Sequence, residues 1–201
     1  MTARPTMLAY PLQLSFKILA VAPQISVTDA SGTLLLYVKQ KAFRLREAVT
    51  VYRDQAQTLP LYTIAADRVL DFSARYQIAT AAGEPVGVVQ RQGMRSLWRA
   101  HYEVTRDGAP VLGLREENPW VKMMDGLFSE LPLVGMLSGY LFHPAYVATR
   151  PDGTPVLRLR KQPALWEGRY EITRVAELSD AEQELALLSA LMLLLLERAR
   201  G

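Results

Sequence analysis

The run Leu185-Ala186-Leu187-Leu188-Ser189-Ala190-Leu191-Met192-Leu193-Leu194-Leu195-Leu196 restricts what this chain can fold into more than any other stretch. It is apolar throughout except for Ser189. Leucine, alanine and methionine, with no β-branched residue among them, favour a helix. Ser179-Asp180-Ala181-Glu182 precedes the run as a capping box, with the serine capping the helix and the glutamate reaching back. Glu197, Arg198 and Arg200 close it, the two arginines being cations suited to the negative end of a helix dipole. A helix apolar on every side must be enclosed by protein or by lipid. Twelve residues cover about 18 Å, short of the ~30 Å hydrocarbon core that takes about 20 residues to span. The run therefore predicts a helix near 180–199 buried in protein, inside a sheet that closes around it.

The sheet is supplied by a unit that occurs three times. Arg75-Tyr76-Gln77-Ile78-Ala79-Thr80 is followed by Gly83-Glu84-Pro85-Val86, and His101-Tyr102-Glu103-Val104-Thr105 by Gly108-Ala109-Pro110-Val111. Ala145-Tyr146-Val147-Ala148-Thr149 is followed by Gly153-Thr154-Pro155-Val156, and Arg169-Tyr170-Glu171-Ile172-Thr173 opens a partial fourth copy. Tyr, Ile, Val and Thr suit a pleated, half-buried surface. The glycine supplies the positive φ of a tight turn, and proline opens the returning strand where a missing N–H is tolerated. Leu157-Arg158-Leu159-Arg160 alternates with period two, one face for the core and one for water. Ile25–Asp29 with Leu34–Lys39, and Val49–Tyr52 with Leu61–Ile64, repeat the theme more loosely around polar turns. Short strands at regular spacing predict a barrel or sandwich, and too few are present for a propeller.

The expected organisation is an N-terminal lead-in over 1–24 and a single domain over 25–201. Half of the residues are hydrophobic and 21% are charged, enough apolar material for a core. No cysteine is present, which excludes disulfides and thiolate chemistry and fits a reducing compartment. Met1–Tyr10 holds Pro5 and no apolar run of signal-peptide length, so the chain reads as cytoplasmic. A second apolar stretch, Gly126–Phe142, lies in an insertion near 121–143 and is broken by Pro132, Gly135 and Gly139. Two readings of it stay open: a helical excursion capping one end of the barrel, or an exposed patch that meets a membrane or a protein partner.

Leu36-Tyr37-Val38-Lys39-Gln40-Lys41-Ala42-Phe43-Arg44-Leu45, Pro60-Leu61-Tyr62, the three hairpins and Pro163-Ala164-Leu165-Trp166-Glu167-Gly168-Arg169-Tyr170 resemble the tubby C-terminal-like superfamily, in its LURP-one-related branch, which groups with phospholipid scramblases. The resemblance covers about residues 25–200. It implies a closed antiparallel barrel of about twelve strands around a hydrophobic C-terminal helix, and no enzyme active site. Tubby itself is a phosphoinositide-binding, membrane-tethering module. Its headgroup-binding motif has no match here, so no site residue is carried over.

Chemistry is sparse. His101 and His143 are the two histidines, and with no cysteine they form no ligand-spaced zinc cluster; no cofactor or metal is implied. No nucleophile elbow, phosphate-binding loop or dinucleotide fingerprint is present. Glu116-Glu117 would point to opposite faces of a strand and read as a solvated pair at a turn. Trp98, Trp120 and Trp166 follow returning strands at similar intervals and read as repeat packing. The net charge of +3 does not suggest nucleic-acid binding. The functional lead is basic: Lys39, Lys41, Arg44 and Arg46 in one cluster, Arg91, Arg95 and Arg99 in another. A basic rim attracts anionic lipid headgroups at roughly 1 kcal/mol per charge. The expectation is a non-enzymatic binding or membrane-tethering module, peripheral at the membrane. The alternative is an enzyme with a fold-assembled site around His101 or His143. The oligomeric state stays open.

Overall fold

A computed structural model describes residues 8–17, 24–39, 48–67, 75–92, 101–117, 145–163 and 167–198. Twelve strands run in chain order: β1 Leu12–Lys17, β2 Gln24–Thr28, β3 Leu34–Lys39, β4 Val49–Tyr52, β5 Pro60–Ala66 and β6 Arg75–Thr80, then β7 Pro85–Arg91, β8 His101–Arg106, β9 Ala109–Glu116, β10 Ala145–Thr149, β11 Pro155–Gln162 and β12 Glu167–Arg174. Each pairs antiparallel with its chain neighbour, and β1 pairs with β12 to close the barrel. The helix Asp180–Arg198 follows β12.

Period-two alternation decides what each strand puts inside. Leu12, Leu14 and Phe16 of β1, Ile25 and Val27 of β2, and Leu157 and Leu159 of β11 are buried, while Gln13, Ser15, Ser26 and Arg158 between them are not. The inward side chains and Leu185–Leu196 of the helix form one continuous apolar cluster. A strand spacing of about 4.8 Å and a tilt of about 40° place twelve strands on a circle of radius about 12 Å, room for one helix and the side chains between. Strands of six to eight residues tilted by that angle stand about 15–20 Å tall along the axis. The buried run of the helix, about 18 Å long, matches that height. Its apolar length is therefore set by the barrel around it.

The turns follow from local chemistry. Ala30–Gly32, Ala81–Gly83 and Pro151–Gly153 are three-residue loops. The glycine N–H of each donates to the carbonyl three residues earlier, and each glycine lies near φ +83° to +89°. The middle hairpin differs: Asp107 (φ 52°) and Gly108 (φ 79°) form a two-residue loop of the kind that matches strand twist. All five of these hairpin pairings, that of β4 with β5 included, shift register just before the turn, as at Val104/Thr105 and Ala148/Thr149. Such bulges add twist and help a sheet curl.

Two expectations are corrected. Residues 1–24 are not simply a lead-in, because Leu12–Lys17 is the strand that closes the barrel between β12 and β2. Its Leu-Gln-Leu-Ser-Phe alternation is a strand signal, masked in the sequence by Pro11 at its start. Glu116-Glu117 is not a solvated pair: Glu117 lies 3.2 Å from Arg158 Nη2 with 17% of its side chain exposed. The insertion at 121–143, His143 and the three tryptophans lie outside the described residues.

Candidate functional site

Antiparallel order sorts the connections between the two ends of the barrel. One end, the turn end, carries the hairpin turns 29–33, 53–59, 81–84, 107–108 and 150–154, and the 175–179 link into the helix. At the other, the far end, the chain leaves β1 at Lys17, β3 at Lys39, β5 at Ala66, β7 at Arg91, β9 at Glu116 and β11 at Gln162.

At the turn end, charged groups hold the first turn of the helix. Ser179 N and Oγ both donate to Glu182 Oε2 at 3.0 Å, and Glu182 N donates to Ser179 Oγ at 3.3 Å, completing the capping box. Arg150 Nε donates to Glu182 Oε1 at 2.9 Å, and its Nη2 reaches Glu177 O at 2.7 Å. The Arg150 hydrogen bond, with those from Ser179, pulls the Glu182 carboxyl down to about 2. Arg106 Nη2 donates to Ala181 O at 2.7 Å and its Nε to Val86 O at 3.1 Å, tying helix to β7. Tyr62 Oη donates to Glu184 Oε1 at 2.7 Å. Arg174 lies 5.6 Å from the Tyr10 ring centroid, and burial pushes the Tyr10 hydroxyl up to about 12.

Acids also organise the turns themselves. Asp29 Oδ1 accepts from Ser31 Oγ at 2.6 Å and from the amides of Ser31 and Thr33, and the Ser31 bond leads in lowering its pKa. Asp54 accepts from Thr58 and Leu59, bonds that outweigh desolvation and lower its pKa. Asp152 accepts from Thr154 N at 2.8 Å, with the same effect. With Glu84, Asp107 and Asp180, every connection at this end carries an acid in or beside it.

The far end has the opposite sign. Lys17, Gln24 and Lys39 stand in one transverse register on the outer face of β1, β2 and β3, which separates the two lysines by two strand spacings, about 10 Å, and Glu167 of β12 continues the register on the other side of Lys17. Both lysines are exposed and make no hydrogen bond or ion pair among the described residues. Arg75, Arg91, Arg160, Lys161 and Arg169 lie at this same end, against Asp67, Glu116 and Glu117. Of the sequence candidates, Lys39 and Arg91 are both placed here, four strands apart, and are not brought together. Lys41, Arg44, Arg46, Arg95 and Arg99 lie outside the described residues; the strand ends that flank them belong to this end. The same holds for the strand ends Glu116 and Ala145 on either side of 118–144.

Sequence reasoning missed Lys17, because its strand was read as lead-in. It also missed Arg106 and Arg150. A signal was present for both: each follows the threonine of its hairpin copy, Thr105-Arg106 and Thr149-Arg150.

His101 is exposed on the outer wall, paired in register with Arg115, and Glu103 shares its face. Among the described residues, no three His, Asp or Glu side chains are grouped to hold a metal ion. Among them, too, no helix is long and apolar enough to cross a membrane.

No family model matches the chain, and no curated protein matches it. Among solved structures, an X-ray structure of a protein from Arabidopsis thaliana is similar, with a TM-score of 0.50 and 14% identity over 98% of this chain and 96% of that one. At that identity the likeness shows the fold: a mainly β, closed barrel of twelve antiparallel strands with a C-terminal helix.

Proposed function

We propose that this protein is a non-enzymatic binding or membrane-tethering module that presents the far end of its barrel to anionic phospholipid headgroups. We further propose that it belongs to the LURP-one-related branch of the tubby C-terminal-like superfamily, acting in the cytoplasm and peripherally at the membrane. The twelve-stranded barrel around its own helix supports the family reading, as does the Arabidopsis structure of similar fold.

The observation that carries the functional reading is the Lys17–Gln24–Lys39 row with further cations at the same end. Lys17 and Lys39, exposed and unpaired among the described residues, cost little to bring against an anionic surface, because no existing pair of theirs must be broken. The interior supports a non-enzymatic role, since the space a substrate would use is occupied by Leu185–Leu196 packed against the strands.

The test is co-sedimentation with vesicles of phosphatidylcholine alone and with added phosphatidylserine or phosphoinositide. Binding is expected only to the anionic vesicles and is expected to weaken with salt. Equal, negligible binding to neutral and anionic vesicles would end the proposal.

A further inference from the structure

The charges of the barrel are sorted along its axis. Acids outnumber bases at the turn end, where Asp29, Asp54, Glu84, Asp107 and Asp152 mark the five hairpin turns and Arg53, Arg106, Arg150 and Arg174 stand among or beside them; bases outnumber acids at the far end, where Lys17, Lys39, Arg75, Lys161 and Arg169 stand with Asp67, Glu116, Glu117 and Glu167. The outer wall between carries little unbalanced charge. On β1, β2, β5 and β6 it shows Gln13, Ser15, Ser26, Thr63 and Gln77. On β8 and β9 it shows Glu103 and Arg115, of opposite sign, and on β11 Arg158 is bridged to Glu117 at 3.2 Å.

We infer that the protein docks end-on, with barrel axis and helix upright on the anionic surface, the strand-end cations facing it and the acidic turns held away. The inference rests on the reading that the partner is an anionic lipid surface. Attraction to such a surface decays within a Debye length of about 8 Å at physiological salt, about half the barrel's height. One end therefore interacts at a time. Turn-end approach sets acids against anionic headgroups, and side-on approach offers a nearly neutral wall. The hydrogen bonds that hold Asp29 and Asp152 below the usual carboxylate range keep the acidic pole charged well below neutral pH.

The chain has no cysteine, so a single introduced one can be labelled without a background. Three variants place a fluorophore at the far end (Gln24→Cys), on the wall (Gln77→Cys) and at the turn end (Ser31→Cys). Each is mixed with vesicles of equal parts phosphatidylcholine and phosphatidylserine that carry a headgroup quencher, and binding is followed separately by co-sedimentation. The expected result is strong quenching at 24 and little at 77 or 31. Quenching at 77 or 31 equal to that at 24, with binding intact, overturns the orientation and leaves the lipid reading standing. Failure of all three variants and of the unlabelled protein to co-sediment overturns both. A charge arm separates the ends again: Lys39→Glu should weaken vesicle binding by on the order of tenfold, and Glu84→Gln should leave it within about twofold. Equal effects at the two ends overturn the inference.

Discussion

Arg150 and Lys39 each stand at the end of a barrel strand, yet their surroundings differ. Arg150 bonds Glu182 and the carbonyl of Glu177, so its charge is spent on seating the helix. Lys39 is exposed and makes no hydrogen bond or ion pair among the described residues. The difference extends to their neighbours. Arg106 and Tyr62 bond the helix, and Ser179 and the turn acids bond their own cap and turns, at one end, while Lys17 shares the outer register of Lys39 at the other. A cation committed inside the molecule contributes to stability, and an uncommitted one is available to a partner. Substitutions at the turn end should therefore change stability, and those at the far end should change binding.

The strongest challenge to this division is Gly87→Ala. A Cβ at Gly87 would lie 2.6 Å from Leu185 Cδ1 and 2.9 Å from the carbonyl oxygen of Thr105. The leucine tip can move, but the Thr105 oxygen belongs to the adjacent strand. Overpacking of this kind costs about 1–3 kcal/mol, offset by at most about 1 kcal/mol from the less flexible unfolded chain. A net loss of about 1–1.5 kcal/mol in urea unfolding is expected. Unchanged stability would mean that the helix is seated less closely than these distances imply.

Arg150→Ala should lower stability by less than the glycine substitution, because it removes the bonds to Glu182 and to the Glu177 carbonyl from partners that keep some exposure. The same contact sets a pH dependence. Folded Glu182 titrates at about 2, below its unfolded value of about 4.3. Its contribution to stability is complete above about pH 4.5 and is lost as pH falls toward 2. Glu182→Gln keeps a capping-box side chain without the charge, so its unfolding free energy should fall less steeply over that window. A profile as steep as wild type would assign the acid sensitivity elsewhere, to Asp29, Asp54 and Asp152, whose pKa values are also lowered.

Midway between the ends, Ser189 Oγ is buried without a hydrogen-bond partner among the described residues. Removing it should help. Ser189→Ala eliminates an unsatisfied hydroxyl and installs a better helix former, so a gain of about 1 kcal/mol is expected in the same unfolding assay. A loss would show that the hydroxyl is satisfied in solution, by water admitted between the helix and the strands.

Local chemistry explains which of these features were readable in the sequence. The Leu185–Leu196 run, the capping box and the turn glycines each declare themselves within a few residues, and they were enough to predict a barrel around a helix. The helix clamp was not readable, because Arg150 meets Glu182 across 32 residues, Arg106 meets Ala181 across 75 and Tyr62 meets Glu184 across 122. Nor was the sorting of charge between ends, since acids and bases alternate along the chain and separate only when antiparallel order sends alternate connections to opposite ends. Basic clustering in the sequence marks Lys39 and Arg91 without that geometry, and Pro11 at the start of β1 hides the strand that carries Lys17.

The smallest stability effect is also the most discriminating. Lys17→Gln combined with Lys39→Gln removes two exposed charges that stand about 10 Å apart in one register with only Gln24 between them. Two like charges at that spacing repel weakly, and neither is paired among the described residues, so unfolding free energy should stay within about 0.5 kcal/mol of wild type. Binding to phosphatidylserine vesicles should nevertheless fall by on the order of tenfold or more, at roughly 1 kcal/mol per charge near the surface, and the gap from wild type should narrow as salt is raised. A double variant that binds as well as wild type would deny these lysines a docking role. A substantial loss of stability would show that they hold the barrel together, and the two ends would then differ in sign but not in purpose.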